Sequence, residues 1–363
     1  MASLGIIRAC SHEKEEVMHT TDGGKTRIPR GVRATSLAGG ALILALLLLP
    51  RPIHAQTIWH ATVGAQSHDK GRQALAFLPN ELWIHAGDSI MWQWDVDEIH
   101  TLSFLGTGQI RQPFPFGCGH PPATVVYATD PATVDGLSPC VSTPPLVKGQ
   151  TFTVAFPNPG NFKMVCLVHP NMTGVVHVLA PSAPLPHAQS FYDDQAADHG
   201  RDLLSDDHQE LNHDMDHVKH GSPRLVTAGI GEVTATAGGS ETLSVMRFLD
   251  GSIVINAGDT VEWTNSDPDA PHTITFGTEP ADPMPPSGNV TVDLDGARHV
   301  VLNSPTESAH SGFIVAAPQE RTGLGQAPLG VTRFRVTFAK TGVYPYICAL
   351  HDDLGMKGTI TVR

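Results

Sequence analysis

Hydrophobic and polar residues alternate in short segments along most of the chain that follows residue 55. The segments "TFTVAF" (Thr151–Phe156), "RFRVTF" (Arg333–Phe338) and "TITV" (Thr359–Val362) carry an apolar side chain at every second position. Successive side chains of a β-strand point to opposite faces, so this period predicts strands with one buried face. Because these regions contain no long pattern of 3.6-residue period, we expect an all-β fold.

The alternating segments occur twice, in the same order. "IHAGDSIMW" (Ile84–Trp92) matches "INAGDTVEW" (Ile255–Trp263), and "HTLSF" (His100–Phe104) matches "HTITF" (His272–Phe276). Further along, "FTVAFPNPGNFKMVC" matches "FRVTFAKTGVYPYIC". A chain of 363 residues is long enough for two domains. The sequence therefore predicts a tandem duplication of two small Greek-key β-sandwich or barrel domains, residues 56–180 and 225–363.

The segment between the two copies, residues 181–224, is acidic and rich in histidine. A stretch at about Ser190–Leu204 predicts a short helix that caps the first domain. We expect the rest to be a solvated linker, and weak metal scavenging is the alternative. The histidines concerned are His199, His208, His213, His217 and His220.

Residues 1–55 resemble a targeting segment rather than part of the fold. Arg27, Arg30 and Arg33 precede an apolar run, Leu37–Leu49, and a small residue, Ala55, stands at a plausible cleavage point. This order is typical of a signal peptide, and the run is shorter than the ~20 residues that a spanning helix needs. We expect a periplasmic or secreted protein with no stable membrane insertion after cleavage. An uncleaved anchor is the alternative.

Removal of this leader makes the chain more acidic. The leader carries seven Lys/Arg and four Asp/Glu, a net charge of +3. The whole chain carries −13, so the remainder carries −16. Such a charge repels nucleic acid, so we expect no nucleic-acid binding. A protein partner would instead be expected to offer a basic docking face.

The cysteines divide into two kinds. Cys118 and Cys140 lie in a stretch rich in Pro and Gly, and export favours a disulfide between them. Cys166 and Cys348 occupy the same position in the two copies. A disulfide between these two would require the motif ends to meet face to face, and it remains the alternative to metal ligation.

Each copy supplies one early histidine and then a cysteine, a histidine and a methionine close together. Two imidazoles and a thiolate in a plane, with a weak axial methionine, form the blue-copper arrangement. Because soft sulfur suits Cu(I) and imidazole also suits Cu(II), such a site can change oxidation state, and we expect two coppers per chain. The alternative is that these are ordinary strand and core residues. The two candidate sets are His100, Cys166, His169 and Met172, and His272, Cys348, His351 and Met356.

The two ligand loops resemble those of the cupredoxins, the plastocyanin/azurin family. "CLVHPNM" resembles the short loop of amicyanin-like members, and "CALHDDLGM" resembles the longer loop of plastocyanin. The resemblance implies copper, single-electron transfer, a redox partner protein, and loop histidines (His169, His351) near the surface that pass the electron. Leu354 stands where the short loop has its methionine, but the shared Met-x-Gly step favours Met356 as the axial ligand.

Two other functions remain as alternatives to an electron carrier. Two-domain copper oxidoreductases, such as nitrite reductases and laccase-like enzymes, relay electrons to a second copper through a histidine next to the cysteine. Cys166 is flanked by Val165 and Leu167, and Cys348 is flanked by Ile347 and Ala349, so neither cysteine has a histidine beside it. A copper storage or delivery protein would use the His-rich linker. We expect a carrier rather than a catalyst.

Overall fold

The computed structural model of the protein describes residues 56–109, 111, 117–119, 125–137, 140–205, 212, 213, 215, 216, 224–316 and 332–363. The predicted leader and the linker residues His208, His217 and His220 lie outside this part. The described elements are β1 (Ile58–Gln66), β2 (Arg72–Leu78), β3 (Glu81–His85), β4 (Ser89–Trp94), β5 (Ser103–Leu105), β6 (Ala132–Thr133), β7 (Cys140–Ser142), β8 (Thr151–Ala155), β9 (Gly160–Val165), β10 (Thr173–Leu179), α1 (Gln189–Leu204), β11 (Leu225–Ala235), β12 (Ser240–Leu249), β13 (Ser252–Ile255), β14 (Thr260–Ser266), β15 (Thr275–Phe276), β16 (Thr291–Val292), β17 (Arg298–Leu302), β18 (Ala309–His310), β19 (Arg333–Phe338), β20 (Gly342–Ile347) and β21 (Lys357–Val362).

Strands β1–β10, the first half, and β11–β21, the second half, have matching pairings. In the first half, β1 pairs with β2 antiparallel and with β4 parallel, and β4 pairs with β8 antiparallel. In the second half, β11 pairs with β12 and β14, and β14 with β19, in the same directions. The other layer is β3–β10–β9 in the first half and β13–β21–β20 in the second. Each half is therefore a two-layer β-sandwich, and the prediction of an all-β fold is confirmed.

Each half is built around a fully buried tryptophan. Trp92 lies 6.0 Å from Phe104 between ring centroids, and Trp263 lies 5.9 Å from Phe276. Burial of a large apolar side chain contributes about 1.5–3 kcal/mol. These aromatics come from the matched segments, so the repeated pattern also specifies the two cores.

Helix α1 packs on the first half and begins one residue before its predicted start. The Tyr192 hydroxyl accepts a hydrogen bond from the Trp83 amide at 2.9 Å and donates to the Trp83 carbonyl at 3.3 Å. Leu203 covers the alanine-rich outer face of β2. Because helix and core cover opposite faces, six consecutive residues of β2 are buried instead of every second one.

The two halves are joined by strand pairing. β2 pairs antiparallel with β12, and Thr173 of β10 pairs with Ser240, so strands of both halves form one continuous sheet. Helix α1 adds an ion pair of 2.7 Å between His199 and the buried Glu241 of β12. These contacts fix the orientation of one half against the other.

Cys118 and Cys140 form a disulfide, whereas Cys166 and Cys348 are buried, free cysteines. A bond between the last two, the alternative considered above, is therefore not formed. Within the described ranges, every helix is too short or too polar to cross a membrane.

Candidate metal centres

Three donor atoms of the first half converge at the end of its sandwich, which we call site 1. His100 precedes β5, and Cys166 and His169 lie in the loop between β9 and β10. The Cys166 Sγ lies 4.0 Å from His100 Nδ1 and 3.7 Å from His169 Nδ1, and the two Nδ1 atoms are 3.0 Å apart. All three residues are buried.

The second half repeats this arrangement as site 2. The Cys348 Sγ lies 3.8 Å from His272 Nδ1 and 3.4 Å from His351 Nδ1, and the two Nδ1 atoms are 3.0 Å apart. Metal–nitrogen and metal–sulfur bonds are about 2.0–2.3 Å long, so donors at these separations can surround one ion. Two imidazoles and one thiolate are the donors that blue copper uses.

A threonine fixes each cysteine. The backbone N–H groups of Thr101 and Thr273 point to the sulfur atoms of Cys166 and Cys348 at 3.4 and 3.3 Å. The Thr101 hydroxyl also accepts a hydrogen bond from the Leu167 N–H at 2.7 Å, and Thr273 does the same in the second half. The early histidine and the ligand loop are thereby held together. Sequence reasoning missed this role, although the repeated "HT" dipeptide was its signal.

A glycine bulge stands behind each early histidine. Gly64 and Gly229 have φ angles of +71° and +75°, and the register of β1 and of β11 shifts at these positions. A Cβ atom would lie 2.1 Å from His272 Nε2 at Gly229 and 3.2 Å from His100 Nε2 at Gly64. The backbone approaches the imidazoles so closely that only glycine fits without displacement.

The surrounding imidazoles favour the thiolate form of both cysteines. Burial would raise the pKa of Cys166, but hydrogen bonds and charge from His100 and His169 outweigh burial and hold this pKa well below its ordinary value. The pKa of Cys348 is lowered in the same way by His351 and His272, again against burial. A thiolate is the form that binds a metal ion, so both centres are prepared for one.

The two methionines are fully buried beside their loops. The Cys166 N–H donates to the Met172 carbonyl at 3.0 Å, and the Cys348 N–H donates to the Met356 carbonyl at 3.1 Å. Met356 belongs to the same core cluster as Cys348. Leu354, the other axial candidate, instead packs into the core cluster of the first half.

The loop histidines are not at the surface. The sequence predicted His169 and His351 near the surface, but they are only 0% and 3% exposed. The prediction was wrong because the two sandwiches meet with their ligand loops facing each other. Between them lies the buried carboxylate of Glu98, with Oε1 at 3.5 Å from His169 Nε2 and Oε2 at 3.4 Å from His351 Nε2.

The charge of Glu98 is stabilised by these neighbours. Burial would raise its pKa, but the charge of His351 and the contacts with His169 outweigh burial and hold the pKa well below its ordinary value. In turn, although burial opposes it, contacts with Cys166 and Glu98 raise the pKa of His169 to about 10. A carboxylate buried between two histidines was not apparent from the sequence, where Glu98 stands in an ordinary acidic turn.

The early histidines have different surroundings in the two halves. Asp267 Oδ2 lies 3.7 Å from His272 Nε2, and both side chains are fully buried. Counted from the matched tryptophans, the corresponding residue of the first half is Val96, which is also buried. Site 2 therefore has a carboxylate behind its early imidazole, whereas the matching position of the first half is apolar.

Each ligand loop is also held by neighbouring residues. Arg111 donates to the Pro170 and His169 carbonyls at 2.6 and 3.1 Å. In the same loop the Asn171 N–H donates to Asp269 of the second half at 2.7 Å. The loop of site 2 is fixed by Arg247, which donates to the Leu354 carbonyl at 2.7 Å and to the Asp69 carbonyl of the first half at 2.6 Å.

Comparison with known proteins agrees with this donor set. The model of the family described as copper binding proteins, plastocyanin/azurin family, matches residues 233–363, which contain all of site 2. The chain is 32% identical over 116 residues to plastocyanin of Scenedesmus fuscus, and the match covers 32% of this chain and 86% of that protein. The chain belongs to the plastocyanin/azurin family of copper-binding proteins.

Other members of this family match with lower identity. The chloroplastic plastocyanin of Physcomitrium patens is 26% identical over 141 residues, which cover 39% of this chain and 64% of that protein. Among solved structures, a mutant plastocyanin of fern is 22% identical and matches 38% of this chain and 99% of its own, with a TM-score of 0.20. Family membership confirms the resemblance that the ligand loops indicated.

Proposed function

We propose that this chain is an exported blue copper protein that transfers single electrons and holds one copper in each half. The observation that carries the proposal is the pair of buried Cys–His–His sets, whose corresponding donor separations agree within 0.3 Å, for example 3.7 and 3.4 Å between cysteine and loop histidine. A single set would support one copper. Both sets are held by the same threonine and glycine contacts, and this similarity favours two coppers.

The residues divide the work at each site. The imidazoles of His100 and His169, or of His272 and His351, would bind through Nδ1, and the thiolate of Cys166 or Cys348 would complete the plane. Copper, when bound, supplies the change between Cu(I) and Cu(II). The protein holds the donors rigidly and excludes water, so the ligands need to move little when the charge changes.

Met172 and Met356 are proposed as the weak axial ligands. Both are fully buried in the same clusters as their cysteines. The side chain of Leu354 packs between the halves, whereas the thioether of Met356 lies in the same cluster as Cys348 of site 2. Replacement of Met356 by leucine should therefore raise the reduction potential of site 2 and leave site 1 unchanged.

The partner is proposed to be a redox protein with a basic docking face, and the compartment periplasmic or extracellular. The support is the net charge that remains without the leader: the whole chain carries −13 and the leader +3, so the rest carries −16. Electrostatic steering of this kind weakens with ionic strength. Electron transfer with a basic partner should therefore slow as salt is added.

The test is to load the protein with Cu(II) and measure copper per chain, visible absorption and EPR together. Two tightly bound coppers with intense thiolate-to-copper absorption and narrow hyperfine splitting are expected. The variants Cys166→Ser and Cys348→Ser should each remove one of them. Colourless protein with loosely held copper would refute the proposal, and an additional type 2 signal would favour an oxidoreductase.

A further inference from the structure

The two metal centres meet at a single side chain. Glu98 is 5% exposed and directs one carboxylate oxygen to each loop imidazole, at 3.5 Å from His169 Nε2 and 3.4 Å from His351 Nε2. It belongs to the first half and stands two residues before His100. The structure thus places a residue of the first half behind a donor of the second.

The orientation of the two imidazoles gives this contact its significance. In each loop histidine the Nδ1 atom faces the cysteine sulfur, at 3.7 Å for His169 and 3.4 Å for His351, so the Nε2 atom points away from the donor set. When one ring nitrogen binds a metal, the partner of the other nitrogen fixes the ring and makes it a stronger donor. Glu98 is in that position for both rings.

Other carboxylates near the loops do not have this role. Asp269 accepts hydrogen bonds from the Asn171 backbone and side chain at 2.7 and 3.1 Å and from the Thr242 hydroxyl at 2.5 Å. Asp97, next to Glu98 in sequence, forms an ion pair of 2.7 Å with Lys70. Among the described residues, the ion pairs of His169 and His351 both end on Glu98.

We propose that Glu98 is a positioning residue shared by both copper sites, a proposal that rests on the function proposed above. It orients His169 and His351 together and couples the two sites, because one carboxylate compensates the charge that develops on either ring. The site of the second half is then incomplete without the first half. The loop histidines, which the sequence assigned to an external partner, serve this internal contact instead.

The experiment combines Glu98→Gln with two variants that isolate the sites. Cys166→Ser leaves site 2 to be measured alone, and Cys348→Ser leaves site 1. Loss of the carboxylate should lower Cu(II) affinity about tenfold at each isolated site, since loss of such a partner typically costs 10–100-fold. If Cu(I) affinity is unchanged, the reduction potential rises by about 59 mV per tenfold.

The decisive measurement is the effect on site 2. A shift of its Cu(II) affinity, EPR parameters and potential in the Cys166→Ser, Glu98→Gln protein supports the proposal. A shift at site 1 alone, or at neither site, overturns it, because Glu98 would then serve only its own half or none. A third copper that Glu98→Gln abolishes would also overturn it, since Glu98 would then be a ligand.

Two controls keep the result interpretable. Asp97→Asn removes the same charge from the neighbouring position and should leave both sites unchanged. If Glu98→Gln does not fold, Glu98→Asp keeps the charge and shortens the side chain, and it should shift both sites in the same direction by less. If the unmodified protein lacks the two blue-copper spectra, the proposed function fails, and that outcome is distinct from failure of the shared role of Glu98.

Discussion

The two candidate metal centres have the same donor atoms but different surroundings. Behind the early histidine, site 2 has Asp267 at 3.7 Å, whereas the corresponding residue of site 1 is Val96. The donors come from the repeated motif, whereas the groups behind the early histidines stand at positions where the two copies differ. If both sites bind copper as proposed, this difference should give them different reduction potentials.

The ligand loops also differ in how they reach the opposite half. The loop of site 1 makes a polar contact, from Asn171 to Asp269 at 2.7 Å. The loop of site 2 has two more residues, and these allow Leu354 to enter the core cluster of the first half. The additional length therefore provides an apolar contact rather than a different ligand.

The largest difference is expected from the two bulge glycines. Gly229→Ala places a methyl group 2.1 Å from His272 Nε2 at a φ of +75°, so His272 must move and site 2 should lose copper. At Gly64 the methyl group would first meet Val96, at 2.3 Å, and lies 3.2 Å from His100 Nε2, so Gly64→Ala should weaken site 1 less. Strain of this kind costs about 1–3 kcal/mol.

Copper per chain and the EPR spectrum of each variant measure this difference. Equal losses at the two sites would show that the bulges are equivalent. Full retention of copper by Gly229→Ala would contradict the close approach of backbone and imidazole.

The next largest effect should distinguish the two loop contacts. Leu354→Ala empties a position that is 4% exposed, and a buried Leu→Ala replacement costs about 2–5 kcal/mol of unfolding free energy. Asn171→Ala removes only the side-chain bond to Asp269 and keeps the backbone bond, so about 1 kcal/mol is expected. Chemical denaturation of both variants measures the two costs, and a larger loss for Asn171→Ala would reverse this ranking.

A smaller, pH-dependent effect concerns the contact of helix α1 with the second half. His199 pairs with Glu241, whose side chain is fully buried, and this contact raises the pKa of His199 despite partial burial. The pair therefore stabilises fully below the unfolded pKa of about 6.5, and this contribution is lost as pH rises through the raised value.

Replacement of His199 by alanine should lower the unfolding free energy by about 1–3 kcal/mol at pH 6, with a smaller deficit at pH 9. His177→Ala is the matched control within the first half, because its partner Glu81 is 23% exposed, and it should cost about 1 kcal/mol or less. A deficit for His199→Ala that grows with pH would contradict the assignment.

The smallest expected effect tests the carboxylate behind His272. Asp267 Oδ1 accepts hydrogen bonds from the N–H groups of Asp269 and Ala270 at 2.8 and 2.9 Å. Asp267→Asn keeps an oxygen that can accept both bonds. Loss of the negative charge should disfavour Cu(II) at site 2, and a tenfold change would raise the potential by about 59 mV. Potentiometry in the Cys166→Ser background measures site 2 alone. An unchanged potential would show that Val96 and Asp267 are equivalent.

Much of the fold and of the donor set was accessible from the sequence because both depend on local patterns. Alternation such as that of "RFRVTF" specifies a strand, and Cys-x-x-His places two donors on one loop. Thr101 and Thr273, which contact the cysteine sulfurs, occur at matching positions of the repeat, but the sequence alone did not indicate this contact. Glu98 and Arg111 could not be identified, because their partners His169 and Pro170 stand 71 and 59 positions away and meet them only after folding. Asp267 stands only 5 positions before His272, but the sequence does not show that its side chain turns toward the imidazole.

The sequence by itself determined that the protein has two β-sandwich halves with one Cys–His–His set each, because strand alternation and the Cys-x-x-His spacing are local and the early histidine recurs in both copies. The tertiary structure decided how the halves face each other, through the pairing of β2 with β12. That pairing buries His169 and His351 and brings both to Glu98, so a histidine expected at the surface became part of an interior contact. Burial at an interface depends on which surfaces meet, and no local pattern of residues contains that information.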